Sequence, residues 1–106
     1  MAKMSKDMIR FLVDFMDCPP YQSVEMDCDD HRITLKQQMV NRELRTWVYV
    51  DGYIKGKWVS GKEPESKYWR KTKNHSYQPD FASPRAALKH INQVSENINV
   101  LTCRVG

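Results

Sequence analysis

The chain has 106 residues, of which 41% are hydrophobic and 28% charged, and its formal net charge is +4. This length and composition predict one globular domain over residues 1–106, large enough to bury a core without a metal or disulfides. No apolar run approaches the ~20 residues that a membrane span needs, and the N terminus lacks the pattern of a secretory signal. We therefore expect a cytoplasmic protein with no membrane partner.

Three widely spaced cysteines, Cys18, Cys28 and Cys103, argue against a disulfide framework. Cys28 and His31 have the C-x-x-H spacing of half a zinc site, but no second pair completes the four ligands that structural zinc needs. The simpler interpretation is a strand thiol followed by a turn histidine. We predict no bound metal.

The first predicted element is a helix over residues 5–17. Ser5 is suited to cap its N terminus, and the prolines at positions 19 and 20 end it because proline donates no backbone hydrogen bond. Apolar residues recur at intervals of three and four, which is typical of a helix face turned to a core. That face holds Met8, Leu12, Phe15 and Met16, with Ile9 and Phe11 alongside.

The apolar period changes to two after residue 21, which indicates β-strands. In the first strand Val24, Met26 and Cys28 alternate with Glu25 and Asp27, so one face is apolar and the other acidic. A second strand is predicted at residues 33–39, with turns at residues 29–31 and 41–43.

Asp51-Gly52 lies between two runs of β-branched and aromatic residues, which is the pattern of a two-residue hairpin turn. Such a turn would pair Val50 with Tyr53 and continue the ladder to Arg45 with Trp58. The alternation then places two sets of side chains on opposite faces. Trp47, Tyr49, Ile54 and Trp58 are predicted to face the core, and Val48, Val50, Tyr53, Lys55 and Lys57 to form an outer surface.

The remaining elements are a short edge strand at residues 67–73, a helix that begins at Ser83-Pro84 and runs to about residue 97, and a final strand at residues 100–105. Trp69 is not assigned to core or surface. Together the elements predict an α+β fold. An antiparallel sheet of four to five strands carries the N-terminal and C-terminal helices on one face.

The positive charge is concentrated in residues 55–73. Seven Lys and Arg stand there against two Glu, a net charge of +5, whereas the rest of the chain has ten basic and eleven acidic residues. Clustered cations with aromatic neighbours suit phosphate contact and base stacking, but also protein docking or an ordinary solvated face. The predicted binding surface consists of Tyr53, Lys55, Lys57, Lys62, Lys67, Tyr68, Arg70, Lys71 and Lys73, and a secondary acidic surface of Glu25, Asp27, Asp29 and Asp30.

The string Tyr49-Val-Asp-Gly-Tyr-Ile-Lys-Gly-Lys-Trp58, followed by Tyr68-Trp-Arg-Lys-Thr-Lys73, resembles a family of small, mostly uncharacterised phage and prophage proteins. Members often have a Tyr-x-Asp-Gly-aromatic-Ile-Lys-Gly-x-Trp hairpin and then an aromatic-Trp-Arg-x-x-Lys run. This chain differs at Lys71, where members often have proline. The resemblance spans residues 49–73, about a quarter of the chain, and implies an origin in a mobile element of a bacterial host, with no particular reaction.

Glu65-Ser66-Lys67 has the E-x-K form of some metal-dependent nucleases, with Asp51 upstream. The predicted hairpin places Asp51 in a tight turn, whereas such nucleases need carboxylates that converge on Mg²⁺. No Ser, Cys or His has a recognisable base partner, and no glycine-rich phosphate loop is present. We predict a protein that is not an enzyme and needs no cofactor.

The primary hypothesis is a non-enzymatic phage or prophage accessory protein that binds a host protein or nucleoprotein. A counter-defence inhibitor of the anti-CRISPR kind is one specific form of it. The alternative is direct binding of DNA or RNA through the basic hairpin surface, and a metal-dependent nuclease is a remote third. The oligomeric state is not predicted, although the final strand has an edge that another chain could pair with.

Overall fold

The chain forms two helices and a series of strands in the computed structural model, which describes residues 3–17 and 22–105. Two short 3₁₀ helices, Gly56–Ser60 and Pro64–Tyr68, follow the third strand. The predicted helix stop at residues 18–20 lies outside the described residues, and so does Cys18. In chain order the elements are α1 (Lys6–Asp17), β1 (Gln22–Cys28), β2 (His31–Val40), β3 (Glu43–Val50), β4 (Arg70–Lys71), β5 (Tyr77–Gln78), β6 (Asp80–Phe81), α2 (Pro84–Val94) and β7 (Ile98–Val105).

Five of the strands form one antiparallel sheet in the order β6-β3-β2-β1-β7, and β4 and β5 form a separate two-stranded sheet. The predicted α+β fold is therefore confirmed. The predicted turns are also present between β1 and β2 and between β2 and β3. Asn41 and Arg42 both have positive φ, 50° and 68°, as a tight turn between twisted strands requires.

The apolar face of the sheet is set by the register of its three central strands. Val24 lies opposite Leu35, and Leu35 lies opposite Val48, so these side chains point to the same side. All three are buried, together with side chains of both helices, in one hydrophobic core. We call this side the inner face and the opposite side the outer face. The inner face holds Val24, Met26, Cys28, Ile33, Leu35, Val48 and Val50.

The helix α1 turns a slightly different stripe to the core from the one predicted. Leu12 and Met16 are buried as expected, but Met8 is 40% exposed and Phe11 is 60% exposed. The reason is the direction of the helix face: Ile9, Leu12, Val13 and Met16 follow the 3–4 spacing and are buried together. Met8 lies beside this stripe, and Phe11 lies on the far side of the helix.

Both helices begin at the predicted serine caps. The amide of Met8 donates to Ser5 Oγ at 3.1 Å, and the amide of Ala86 donates to Ser83 Oγ at 3.2 Å. The helix α2 ends at Val94, three residues earlier than predicted. The amides of Glu96 and Asn97 donate to the Asp29 carboxylate instead of continuing the helix, so the β1–β2 turn fixes where α2 ends and β7 begins.

The long hairpin predicted around Asp51-Gly52 is wrong beyond its turn. Asp51 and Gly52 have positive φ and Val50 does bridge to Tyr53, but the chain then leaves the sheet. The edge of β3 is occupied by β6 instead, with Val48 N–H donating to the Pro79 carbonyl.

The predicted faces of β3 are inverted as a result. Val48 and Val50 are buried on the inner face because they lie opposite Leu35 and Ile33, whereas Trp47 and Tyr49 are half-buried on the outer face. Pairing with β2 decides which side chains of β3 are inside, and the hairpin partner that was assumed does not exist.

The chain after the turn covers the core through aromatic side chains. Trp58, Tyr68 and Trp69 are all buried, so the predicted core position of Trp58 is confirmed and Trp69 is assigned to the core. The rings of Trp58 and Trp69 meet edge to face, 5.4 Å apart. Of the edge strand predicted at 67–73, only Arg70–Lys71 is a strand, and it pairs with β5.

Replacing Trp69 by alanine should destabilise the fold strongly. Trp69→Ala removes a large buried ring and a hydrogen bond, so we expect the free energy of unfolding to fall by about 3–5 kcal/mol. Tyr53→Ala is the control, because that ring is 60% exposed, and its effect should stay within about 0.5 kcal/mol. Urea unfolding measures both. Equal effects of the two substitutions would contradict the core position of Trp69.

Candidate binding surfaces

The predicted basic surface is present in a modified form, as residues 53–73 with their aromatic rings inside and most of their lysines outside. Tyr68 is 0% exposed, so its predicted place on the surface is wrong. Its hydroxyl donates to the Cys28 carbonyl at 3.2 Å, which turns the ring inward. The exposed members are Tyr53, Lys55, Lys57, Lys62, Lys67, Lys71 and Lys73, and we call them the basic segment.

The backbone that carries the basic segment is fixed by internal contacts. Ser66 Oγ donates to the Trp58 carbonyl at 2.6 Å, which links the two 3₁₀ helices. Gly61 has φ +78°, and a Cβ at this position would lie 2.3 Å from the Tyr77 ring, so only glycine fits between the 3₁₀ helices and β5. The lysines therefore project from an ordered surface.

Two of the predicted cations are engaged inside the protein. The first is Arg70, whose Nε donates to the Asp80 carbonyl at 2.8 Å. The carboxylate of this same Asp80 is bound by Arg45. The second is Lys67, whose Nζ lies 3.7 Å from Asp29 Oδ2. Arg70 is therefore a structural residue that joins β4 to β6, and Lys67 is partly neutralised.

The other five lysines of the basic segment have no carboxylate partner within the described residues. Lys55 contacts rings only, with Nζ 5.0 Å from the centre of the Tyr53 ring. Within residues 3–17 and 22–105, none of the five makes an ion pair. The free positive charge of the segment belongs to Lys55, Lys57, Lys62, Lys71 and Lys73.

The predicted acidic surface is largely used by the fold. Asp27 pairs with Arg32 at 2.7 Å, and Asp29 accepts the amides of Glu96 and Asn97. The hydrogen bond from Asn97 is the main reason why the pKa of Asp29 lies below its ordinary value; partial burial opposes it, and the Glu96 amide and Lys67 add to the lowering. Glu25 is half-buried on β1 and Asp30 is exposed in the turn. The four carboxylates do not form one free patch.

The residues considered for metal chemistry are buried or engaged in other contacts. Burial raises the pKa of the Cys28 thiol to about 12, so it is not a thiolate at neutral pH. His31 Nδ1 lies 2.9 Å from Asp51 Oδ2, so this ring nitrogen is already engaged. Among the described residues, no group of three His, Cys, Asp or Glu is placed to hold a metal ion.

Asp51 and Glu65, the carboxylates of the nuclease-like pattern, lie in different elements. Glu65 lies in the second 3₁₀ helix, whereas Asp51 accepts the amide of Arg32 at the β3 turn. Partial burial raises the pKa of Asp51, but the hydrogen bonds from Arg32 and His31 outweigh this effect and the pKa lies below its ordinary value. Both partners of Asp51 are internal contacts that shape the turn.

A second basic surface was missed by the sequence analysis. A groove of about 180 Å³ between α1 and α2 is lined by Ile9 and by four cations, Lys6, Arg10, Arg85 and Lys89. The sequence signal was present, since each helix has two cations four residues apart and therefore on one side. That the two sides face each other depends on how the helices pack, and a count of charges along the chain hides it.

Comparison of the chain with protein-family models, with curated protein sequences and with solved structures finds no match. The resemblance to phage and prophage proteins therefore stays a prediction. No helix within the described residues is long and apolar enough to cross a membrane.

The charge of Asp29 should stabilise the protein at pH values above the ordinary pKa of an aspartate, and this stabilisation should be absent at pH values far below it. Because the pKa of Asp29 is lowered in the folded state, its contribution to the free energy of unfolding is complete above pH 3.8. This contribution is lost as the pH falls through the pKa of the folded state. Asp29→Asn keeps the side-chain shape and suits the positive φ at this position, so the main change is loss of charge. We expect this variant to be less stable than the wild type at neutral pH and to approach it below pH 3.8.

Urea unfolding between neutral and acid pH measures this difference. Asp30→Asn is the matched control, because it removes the same charge from the exposed neighbour and should change the free energy of unfolding by less than about 0.5 kcal/mol. A stability difference for Asp29→Asn that does not depend on pH would contradict the role of its charge.

Proposed function

We propose that this protein is a non-enzymatic nucleic-acid-binding protein whose basic segment contacts the phosphate backbone. The observation that carries the proposal is the set of five exposed lysines that have no carboxylate partner within the described residues. Clustered, uncompensated lysines are what phosphate contact requires, because each one displaces counterions from the nucleic acid when it binds.

The buried aromatic rings restrict the way in which the nucleic acid is held. Trp58, Tyr68 and Trp69 are inside the core and are not accessible to bases, and Tyr53 is the exposed ring of the basic segment. Stacking of successive bases needs several exposed rings, so backbone contact is the main contribution. The affinity should therefore depend little on the base sequence of the nucleic acid and strongly on the salt concentration.

The proposal predicts a steep dependence of affinity on salt. The logarithm of the association constant should fall with the logarithm of salt concentration, and five lysines that contact phosphates should contribute about −4 to −5 to this slope on duplex DNA. Lys57→Gln with Lys62→Gln should make this slope shallower by about 2 units, because two phosphate contacts are lost. Fluorescence anisotropy with labelled duplex DNA, single-stranded DNA and duplex RNA, at about 50 to 200 mM salt, measures it.

The control for this variant is Lys36→Gln with Arg42→Asn. It removes the same net charge from the outer face and the β2–β3 turn, and asparagine suits the positive φ of Arg42. The control should leave the slope close to that of the wild type. Absence of binding at low salt, or binding that salt does not weaken, would overturn the proposed function.

A second candidate function, docking to a host protein or nucleoprotein, is favoured by a separate observation. Met8 and Phe11 are exposed next to each other on α1, and Met8 lines a groove of about 360 Å³ between α1 and β7. Exposed apolar side chains beside a groove are typical of protein-binding sites. A counter-defence inhibitor acting in the cytoplasm of a bacterial host is the form of this candidate that the phage resemblance suggests.

This second candidate predicts capture of a protein that depends on Phe11. A tagged protein should retain a bacterial protein from a nuclease-treated lysate, and Phe11→Ser should lose it because 60% of this ring is available for contact. The substitution should not unfold the protein, which circular dichroism checks. Capture that nuclease treatment abolishes, or that Phe11→Ser leaves unchanged, contradicts docking through this surface.

A further inference from the structure

The groove between α1 and α2 brings four cations to one place. Lys6 and Arg10 lie one turn apart on α1, and Arg85 and Lys89 lie one turn apart on α2. All the charged side chains that line the groove are positive, and Ile9 supplies its apolar part.

The walls of this groove are held in place by contacts at one end. The amide of Met4 donates to Asn92 Oδ1 at 2.7 Å, and Asn92 Nδ2 donates to the Met4 carbonyl at 3.2 Å. Lys3 Nζ donates to the Gln93 carbonyl at 3.2 Å. Beneath the groove the helices share the apolar core through residues such as Leu12 and Leu88. The cations are therefore held near each other by the packing of the helices.

This arrangement costs stability unless an anion occupies the groove. Like charges one turn apart on a helix are destabilising by about 0.2–0.5 kcal/mol for each pair. Within the described residues none of the four side chains makes an ion pair, and Asp7 and Asp14 of α1 do not line the groove. A local conflict that the fold keeps without an internal partner is typical of a binding site.

We propose that this groove is a second phosphate-binding site, which holds the backbone of a nucleic acid. The inference rests on the proposed function and adds to it the place where a further stretch of backbone binds. Two arginines favour phosphate because guanidinium donates two parallel hydrogen bonds to its oxygens. The cations are about 6 Å apart along each helix and the helix axes about 8–10 Å apart, which is more than one phosphate group fills. A chain of phosphates fits this spacing.

The groove and the basic segment lie on the two sides of α2. His90, on α2, donates its Nε2–H to the Lys67 carbonyl at 2.8 Å, so α2 contacts the basic segment directly. On its other side α2 carries Arg85 and Lys89 into the groove. One nucleic acid that crosses α2 can therefore contact both surfaces.

The test compares Arg10→Gln with Arg85→Gln against the same control, Lys36→Gln with Arg42→Asn, which has an equal change in net charge. The groove variant should bind duplex nucleic acid about tenfold more weakly at moderate salt, since hydrogen bonds to charged groups are lost. Its salt slope should become shallower by about 2 units, as two phosphate contacts disappear. Its unfolding midpoint should not fall, because repulsion in the groove is relieved.

Two results overturn this inference, and only the second also overturns the proposed function. If the groove variant keeps the affinity and slope of the wild type while Lys57→Gln with Lys62→Gln loses them, the protein binds nucleic acid but not here. If the wild type binds no nucleic acid at low salt, the proposed function fails and the groove fails with it as a backbone site.

A second measurement locates the bound phosphate. Methyl resonances of Ile9 should shift when duplex nucleic acid or inorganic pyrophosphate is added to the wild type, and should not shift in the groove variant. A shift with pyrophosphate but not with the duplex would mean that the groove takes a small phosphate only, and it would overturn the assignment. No shift with either ligand overturns it as well.

Discussion

The hydrogen bond from the Trp69 indole to the Val48 carbonyl, 3.1 Å long, is the contact on which the placement of the basic segment depends. Val48 has its N–H bonded to Pro79, and its carbonyl lies at the same edge of β3. Without the indole, this buried carbonyl would lose its partner, at a cost of about 1–3 kcal/mol. Trp58 packs on Trp69, and Tyr68 bonds the end of β1. The aromatic residues are thus used as anchors, and the lysines between them are left to face the solvent.

Several carboxylates bind groups of the protein itself at points where the chain changes direction. Asp29 accepts a backbone amide from the segment between α2 and β7. Asp51, in the turn after β3, accepts the amide of Arg32. Asp80 joins Arg45 and Arg70 across three strands. Each of these bonds fixes a place where the chain changes direction. The consequence is electrostatic: these carboxylates are engaged within the fold, whereas five lysines of the basic segment and the four cations of the groove make no ion pair within the described residues.

The fold could be predicted from the sequence wherever a residue pattern is compatible with only one arrangement of the side chains. In β1 and β2, apolar and polar residues alternate, so only one face can be inside, and the serine caps mark both helix starts. In β3, Trp47, Val48, Tyr49 and Val50 are all apolar or aromatic, so alternation alone does not choose a face. The lysines of the basic segment were predicted from their clustering, whereas the anchoring of Tyr68 and the groove between the helices depend on contacts between distant residues, which local patterns do not contain.

The outer face of the sheet and the groove differ in how much of their positive charge is paired with carboxylates within the described residues. On the outer face Arg32 pairs with Asp27 and Arg45 with Asp80, so these two cations are neutralised, whereas Lys36 lies over the Tyr49 ring. Two cations of the groove, Arg85 and Lys89, lie on α2, and the basic segment contacts α2 where His90 bonds the Lys67 carbonyl. Under the proposed function, backbone contact at these cations makes recognition follow the phosphates of the nucleic acid and not the order of its bases.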